Sequence, residues 1–229
     1  MSPRAVLFDA GNTLVFLDHA RMAAAVAADL DLPLTGDMLA AASAEAALAI
    51  ERSRTSDRER ADAYLSALFT LAGGPPERLD RVRAVLAGLH AERHLWSSVV
   101  PGTREALGRL LRARYRLGVV SNSDGRVEAA LEAAGLLDRF EVVVDSTLVG
   151  VEKPDPAIFH AALDAMGVAP ADAMYLGDLY EVDVLGARAA GMEAVLFAPA
   201  GAPAVAGCRI VPSIAALVDH LVPGERAAS

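Results

Sequence analysis

The 229-residue sequence has little cysteine and no long apolar run. Its single cysteine, Cys208, excludes an internal disulfide and a cysteine metal cluster, so we expect a protein of the reducing cytoplasm. The longest apolar stretch, Ala194 to Cys208, is interrupted by prolines and glycines, which argues against a membrane span. The run Val6 to Phe8 is too short for a secretory signal.

Basic residues are also in the minority. The chain has 21 Lys and Arg against 30 Asp and Glu, a net charge of −9, and no basic block, so we expect no nucleic-acid partner. Among those basic residues only Lys153 is a lysine. With 54% hydrophobic and 22% charged residues, the chain is expected to build a sizeable core and not to be disordered.

Strand and helix patterns alternate at the start of the chain and again after residue 100. The stretch Arg4 to Asp9 is typical of a buried strand that ends on a carboxylate. Further strands are predicted at Leu117 to Val120, Glu141 to Val144, Ala173 to Leu176, Ala194 to Phe197 and Arg209 to Val211. Helices are predicted at 103–114, 124–135, 155–166, 181–190 and 213–221. This alternation predicts an α/β fold, a doubly wound parallel sheet covered on both faces.

The stretch between these two parts has a different amino-acid composition and no alternation of strand and helix patterns. Alanine-, leucine-, glutamate- and arginine-rich segments separated by proline, glycine and serine predict helices and no strand. The four helices are expected at 20–30, 37–52, 57–72 and 77–94. We therefore divide the chain into an α/β core of 1–13 plus 100–222, an all-helical insertion of 14–99, and a C-terminal tail of 223–229.

Ligands of open parallel sheets bind beyond the carboxyl ends of the strands. Polar residues follow four consecutive predicted strands of the core, so we expect their side chains to meet at one edge of the sheet. These residues are Asp9, Ser121, Asn122, Lys153, Asp178 and Asp183.

The chemistry of this set points to phosphoryl transfer. Asp9 and Asp178 are suited to hold a hard cation such as Mg²⁺. Asp9, beside that cation and Lys153, is the candidate nucleophile that forms an aspartyl phosphate, while the metal and Lys153 neutralise the phosphoryl oxygens. Ser121 is expected to hold another oxygen, helped by the start of the helix at 124–135.

Asp183 follows Asp178 by five residues, at the start of a predicted helix. From there its carboxylate is expected to orient a metal-bound water or Lys153.

Four short motifs in this order resemble the haloacid dehalogenase-like hydrolases, in the subfamily whose helical cap (C1 type) follows the first motif. The motifs are Asp9 to Leu14, Ser121-Asn122, Lys153-Pro154 and Gly177 to Asp183. The resemblance covers almost the whole chain. It implies a Mg²⁺-dependent phosphatase of small phosphorylated metabolites, with Asp9, Lys153 and Ser121 catalytic, and with Thr13 and Asn122 binding substrate. It also implies that the backbone carbonyl of Gly11 binds the metal together with Asp9 and Asp178. Asp183 would then hold these ligands in place without binding the metal itself.

Gly11 departs from the family's phosphatases, which carry a second Asp there as general acid and base. General acid–base catalysis is worth about 10²–10⁴ in rate, so we expect alkyl phosphates to be poor substrates.

Three possibilities stay open. The first is a phosphatase whose leaving group needs little protonation, or whose acid comes from the cap. The second is a 2-haloacid dehalogenase, since a halide leaves without a proton, although dehalogenases lack the carboxylate that Asp178 supplies. The third is a catalytically degenerate protein that binds a phosphorylated ligand or a protein partner. No membrane partner is expected, and the sequence does not choose between a monomer and a dimer.

Overall fold

The computed structural model describes residues 3–50, 57–198, 204–205 and 207–223. The chain forms two compact units, one of Met1–Phe16 with Ser98–Ser229 and one of Leu17–Ser97. The tail predicted at 223–229 lies outside the described residues except for its first position.

Six of the strands form one sheet with the order β5-β4-β1-β6-β7-β8, and every neighbouring pair is parallel. The predicted α/β class is therefore confirmed. The strands are β1 (Ala5–Phe8), β2 (Phe16–Leu17), β3 (Trp96–Ser98), β4 (Arg116–Ser121), β5 (Val142–Asp145), β6 (Ala173–Gly177), β7 (Glu193–Phe197) and β8 (Arg209–Val211).

Helices alternate with these strands, and in the unit Leu17–Ser97 they follow one another directly. They are α1 (His19–Leu30), α2 (Gly36–Ile50), α3 (Asp57–Leu71), α4 (Leu79–Glu92), α5 (Thr103–Arg112), α6 (Val127–Ala133), α7 (Ser146–Val149), α8 (Pro156–Met166), α9 (Leu185–Ala189) and α10 (Ile214–Leu221). A π-helical turn, Tyr180–Val184, leads into α9.

The central strand β1 is buried on both faces. All four of its residues are 0% exposed. Leu7 packs in a cluster with Phe159 on one face, whereas Phe8 on the other face meets Phe140 edge-on, with ring centroids 6.1 Å apart. This double burial explains why the strand is a continuous apolar run. It also places β1 between β4 and β6, so the carboxyl ends of these three strands are neighbours.

The helical unit has its own apolar core, in which Met22 and Val26 of α1 are buried with Leu39, Leu68 and Phe69. The expectation that 14–99 contains no strand is wrong, because β2 and β3 pair with each other there. Strands of two and three residues are too short to show the apolar–polar alternation by which a strand is recognised.

In the part of the chain that the structure describes, no helix combines the length and the apolar character that crossing a membrane requires.

Candidate active site

The turn after β1 presents Asp9 at the centre of the sheet edge. The Asp9 N–H donates to the Leu176 carbonyl of β6 at 2.8 Å, which continues the strand pairing by one residue. The chain then turns back, because the Ala10 carbonyl accepts the N–H of Leu14 at 2.9 Å. Asn12 takes the left-handed backbone conformation of this turn, with φ 55°. The carboxylate of Asp9 is thereby fixed just beyond the strand.

Lys153 joins Asp9 to Asp183. Its Nζ donates to Asp9 Oδ1 at 2.5 Å and to Asp183 Oδ1 at 2.8 Å. All three side chains are buried, so the two charge-assisted contacts lie away from solvent, where they are strongest. The structure thus brings together three of the residues that the sequence places at this edge.

Asp183 reaches the group from the π-helical turn. Its Oδ2 accepts the N–H of Leu179 at 2.9 Å, while the Asp183 N–H donates to the Leu179 carbonyl at 2.7 Å. The helix predicted at 181–190 therefore begins as this wider turn, and only α9 is α-helical. Both carboxylate oxygens of Asp183 are engaged by the protein, which fits support of Lys153 better than direct attack.

Asp178 completes a cluster of carboxylates. One carboxylate oxygen each of Asp9, Asp178 and Asp183 lies within 4.8 Å of the others. Three oxygen donors at such spacing match the preference of a hard divalent cation. The donor set therefore fits the predicted Mg²⁺.

Burial, together with the neighbouring charges, shifts the pKa values of Asp9, Asp178 and Lys153. Burial raises the pKa of Asp9 to about 6, an effect that the Lys153 ammonium opposes and that Asp183 strengthens. Burial, followed by repulsion from Asp9 and Asp183, holds the pKa of Asp178 well above its usual range. Burial by itself would lower the pKa of Lys153, but attraction to Asp183 and Asp9 outweighs it and raises that pKa well above its usual value. The lysine is therefore an ammonium, which pairs with Asp9 and Asp183.

Asn122 uses its amide on the backbone of Lys153. Its Oδ1 accepts the Lys153 N–H at 2.7 Å, and its Nδ2 donates to the Lys153 carbonyl at 3.0 Å. The residue predicted to bind substrate is thus paired with a catalytic candidate 31 positions away in sequence.

Ser121 and Thr13 are both buried near the same strand ends. Ser121 is the last residue of β4, and its Oγ lies 3.5 Å from the Asn122 carbonyl, the long limit of a hydrogen bond. The buried Oγ1 of Thr13 has no hydrogen-bond partner among the described residues. A buried hydroxyl without a partner is costly, so Thr13 fits a role in holding a ligand oxygen.

Gly11 precedes Asn12 in the turn after β1, and its main chain forms an isolated bridge with Val15.

Tyr175, a phenol in the otherwise apolar strand β6, is a residue that sequence reasoning missed. Its hydroxyl donates to the Val120 carbonyl at 2.8 Å and accepts from Lys153 Nζ at 3.1 Å. The one available signal is a hydroxyl placed in a fully buried strand, since buried phenols usually have a partner.

Asp145 is the second residue that sequence reasoning missed. Its carboxylate accepts the N–H of Gly125 at 3.1 Å and that of Val127 at 3.2 Å. The helix predicted to start near Asp124 begins three residues later, as α6 at Val127, and the Val127 N–H at its start donates to Asp145.

Comparison with known proteins places this arrangement in a family. The sequence model of the haloacid dehalogenase-like hydrolases matches residues 3–191. Haloacid dehalogenase-like hydrolase domain-containing protein 3 of Bos taurus is 39% identical over 131 residues, which cover 55% of this chain and 51% of that protein. A phosphoserine phosphatase of Thermus thermophilus is 38% identical over 125 residues, covering 54% of this chain and 49% of that one.

The chain thus spans about half the length of these curated relatives. Among solved structures, the L-2-haloacid dehalogenase of Xanthobacter autotrophicus superposes with a TM-score of 0.63 at 22% identity, covering 99% of this chain and 100% of that one. At that identity the likeness shows a shared fold.

Proposed function

Because this chain belongs to the haloacid dehalogenase-like hydrolases, we propose that it is a Mg²⁺-dependent phosphatase that acts in the cytoplasm on a small phosphorylated metabolite. The observation that carries the proposal is the carboxylate cluster of Asp9, Asp178 and Asp183 with the Lys153 ammonium inserted into it. The similarity to a phosphoserine phosphatase supports the same reaction class.

Asp9 is the nucleophile of this proposal. Its carboxylate oxygen forms a bond to phosphorus as the bond from phosphorus to the leaving oxygen breaks, and the leaving group departs with that electron pair. Water then attacks the phosphorus of the aspartyl phosphate, which releases inorganic phosphate and restores Asp9. Lys153 offsets the negative charge on the phosphoryl oxygens in both steps. Ser121 and Thr13 hold these oxygens from the ends of β4 and β1.

The metal is assigned to Asp9 and Asp178, together with the backbone carbonyl of Gly11. When bound, Mg²⁺ neutralises charge on the phosphoryl group that Asp9 attacks. Asp183 keeps Lys153 and the ligands in place, since its two oxygens are engaged by Lys153 Nζ and the Leu179 N–H.

Gly11 shapes the choice of substrate. A glycine cannot protonate a leaving group, so we assign the chain to phosphates whose leaving group needs little protonation, such as acyl phosphates, aryl phosphates and pyrophosphates. We assign the role of cap, and with it the choice among such substrates, to the helical unit Leu17–Ser97.

Two assays on the purified protein test the reaction, each with and without Mg²⁺. One follows phosphate from p-nitrophenyl phosphate and acetyl phosphate, and the other follows halide from 2-haloacids. We expect Mg²⁺-dependent phosphate release that is lost in Asp9→Asn and in Lys153→Ala. Metal-independent halide release would make the protein a dehalogenase instead, and inactivity in both assays would favour a protein that only binds a phosphorylated ligand.

A further inference from the structure

The ammonium of Lys153 has three N–H groups, and each one has an acceptor. Asp9 Oδ1 and Asp183 Oδ1 take two of them, and the hydroxyl of Tyr175 lies 3.1 Å away for the third. Tyr175 is 0% exposed, and its one proton has two acceptors in reach, the Val120 carbonyl at 2.8 Å and Asp183 Oδ1 at 3.3 Å. Donation to the nearer carbonyl leaves an oxygen lone pair to face the ammonium. The ammonium is therefore fixed in orientation as well as in place.

The other end of the same residue is fixed independently. The side-chain amide of Asn122 forms a reciprocal pair of hydrogen bonds with the N–H and the carbonyl of Lys153. Since the amide spans both backbone groups at once, neither shift along the chain nor rotation of the Lys153 peptide groups is possible without breaking one of these bonds.

Both contacts address the same physical problem. Lysine is a point charge on a flexible four-carbon stem, and its rotamer freedom works against accurate placement of the charge. Here the stem is held at its base by Asn122 and at its tip by Tyr175. We propose that Asn122 and Tyr175 are positioning residues for Lys153, and that Asn122 acts through this lysine rather than by contact with substrate. The proposal rests on the catalytic role given to Lys153 above.

The composition of the chain offers a direct readout. Lys153 is the only lysine among 229 residues, so protein labelled with ¹⁵N-lysine shows a single side-chain ammonium signal. Ammonium protons of exposed lysines exchange with water too fast to be seen at neutral pH. A buried and hydrogen-bonded ammonium gives a signal, and its exchange rate measures how firmly the hydrogen bonds hold the ammonium. This measurement needs neither substrate nor activity.

We expect the signal in the wild type, and its loss or broadening in Asn122→Ala and in Tyr175→Phe. Asn122→Asp keeps the acceptor for the Lys153 N–H but loses the donor to the Lys153 carbonyl. Its ammonium signal should therefore be intermediate between those of the wild type and Asn122→Ala. Tyr115→Phe is the matched control, because it removes a hydroxyl that donates to the Leu221 carbonyl at 3.2 Å, away from the lysine. A wild-type protein without the signal, or folded Asn122→Ala and Tyr175→Phe variants with the wild-type signal and exchange rate, would overturn the proposal even if the protein proves to be a phosphatase.

Kinetics separate positioning from substrate contact. Misplacing a catalytic group by about 1 Å costs up to about 100-fold in rate, so kcat for p-nitrophenyl phosphate should fall by roughly 10- to 100-fold in Asn122→Ala, with KM nearly unchanged. A higher KM with unchanged kcat would instead make Asn122 a substrate-binding residue.

Discussion

The carboxylate of Asp183 lies directly over the backbone of Gly177. A Cβ on residue 177 would stand 2.4 Å from Asp183 Cγ, a distance at which no side chain can be accommodated. Asp183 has no room to retreat, because the Leu179 N–H and Lys153 hold its two oxygens. The last residue of β6 is therefore a glycine because an acidic side chain must pack on it.

We predict that Gly177→Ala pushes Asp183 away from Lys153. Overpacking of this kind costs about 1–3 kcal/mol in the free energy of unfolding, and we expect phosphatase activity to fall with it. Thermal melting and phosphate release measure the two effects.

The matched control is Gly88→Ala, in the middle of α4, where an added Cβ meets nothing within 4 Å. That change should stabilise the protein by about 0.5–1 kcal/mol, since alanine favours a helix over glycine. A Gly177→Ala protein that melts and turns over like the wild type would contradict the close packing of Asp183.

Asp9→Asn should abolish activity without destabilising the metal-free protein. The pKa of Asp9 rises from 3.8 to about 6 on folding, so the folded state favours the protonated carboxyl. Stability from this group is fully present below about pH 4 and is lost as the pH rises toward 6, an effect of up to about 3 kcal/mol. Asparagine stays neutral throughout.

The measurement is a series of melting temperatures in EDTA between pH 4.5 and 7.5. Asp9→Asn should be at least as stable as the wild type at pH 7.5, and the difference should shrink toward pH 4.5. The control is Asp138→Asn, which makes the same replacement at an exposed carboxylate. A strongly destabilised Asp9→Asn protein at pH 7.5 would mean that the contact with Lys153 outweighs the burial of charge.

Gly11→Asp should supply the proton donor that the turn after β1 lacks. The left-handed residue of this turn is Asn12, so the substitution does not replace the residue with the special backbone conformation. We expect hydrolysis of simple alkyl phosphates to rise by about 10²–10⁴, whereas p-nitrophenyl phosphate, whose leaving group needs little help, should gain far less. Equal gains on both substrates, or none on either, would indicate that proton donation is not what limits the wild type.

Asp145 should prove essential to the loop that follows β4. Its carboxylate accepts three backbone N–H groups, from Gly125, Val127 and Thr147. Hydrogen bonds to charged groups are worth about 1.5–3 kcal/mol each, so Asp145→Ala should lower the free energy of unfolding by at least about 3 kcal/mol. Asp145→Asn should cost less, because its amide oxygen can still accept, and Asp138→Ala should cost almost nothing. A stable Asp145→Ala protein would show that water replaces these contacts.

The sequence was sufficient for the fold class because the core strands carry a clear physical signal. A strand buried on both faces has to be continuously apolar, as at Ala5–Phe8, and a helix between two such strands leads to a parallel sheet. The polar residue that ends each strand then identifies the binding edge, which is why the sequence alone predicts Asp9 and Asp178 there.

The missed residues depend on facts that one sequence does not carry. Tyr175 contacts Lys153 only because the register of β6 turns this side chain toward it, and alternation within a fully apolar strand does not reveal which face a residue takes. Asp145 looks like any polar strand end until the loop around Gly125 is seen to fold over it. The amide of Asn122 could serve a substrate or a neighbouring backbone equally well, and only the distances to Lys153 distinguish these uses.

The burial of Lys153 also determines how the folded protein reacts with reagents that modify amines. Every other basic side chain is an arginine, and the lone lysine is 5% exposed, so a reagent that acylates lysine finds no lysine target on the folded surface. Acylation at Lys153 would mark only molecules that have opened around the candidate site, so the extent of labelling over time would measure how often the folded protein opens there.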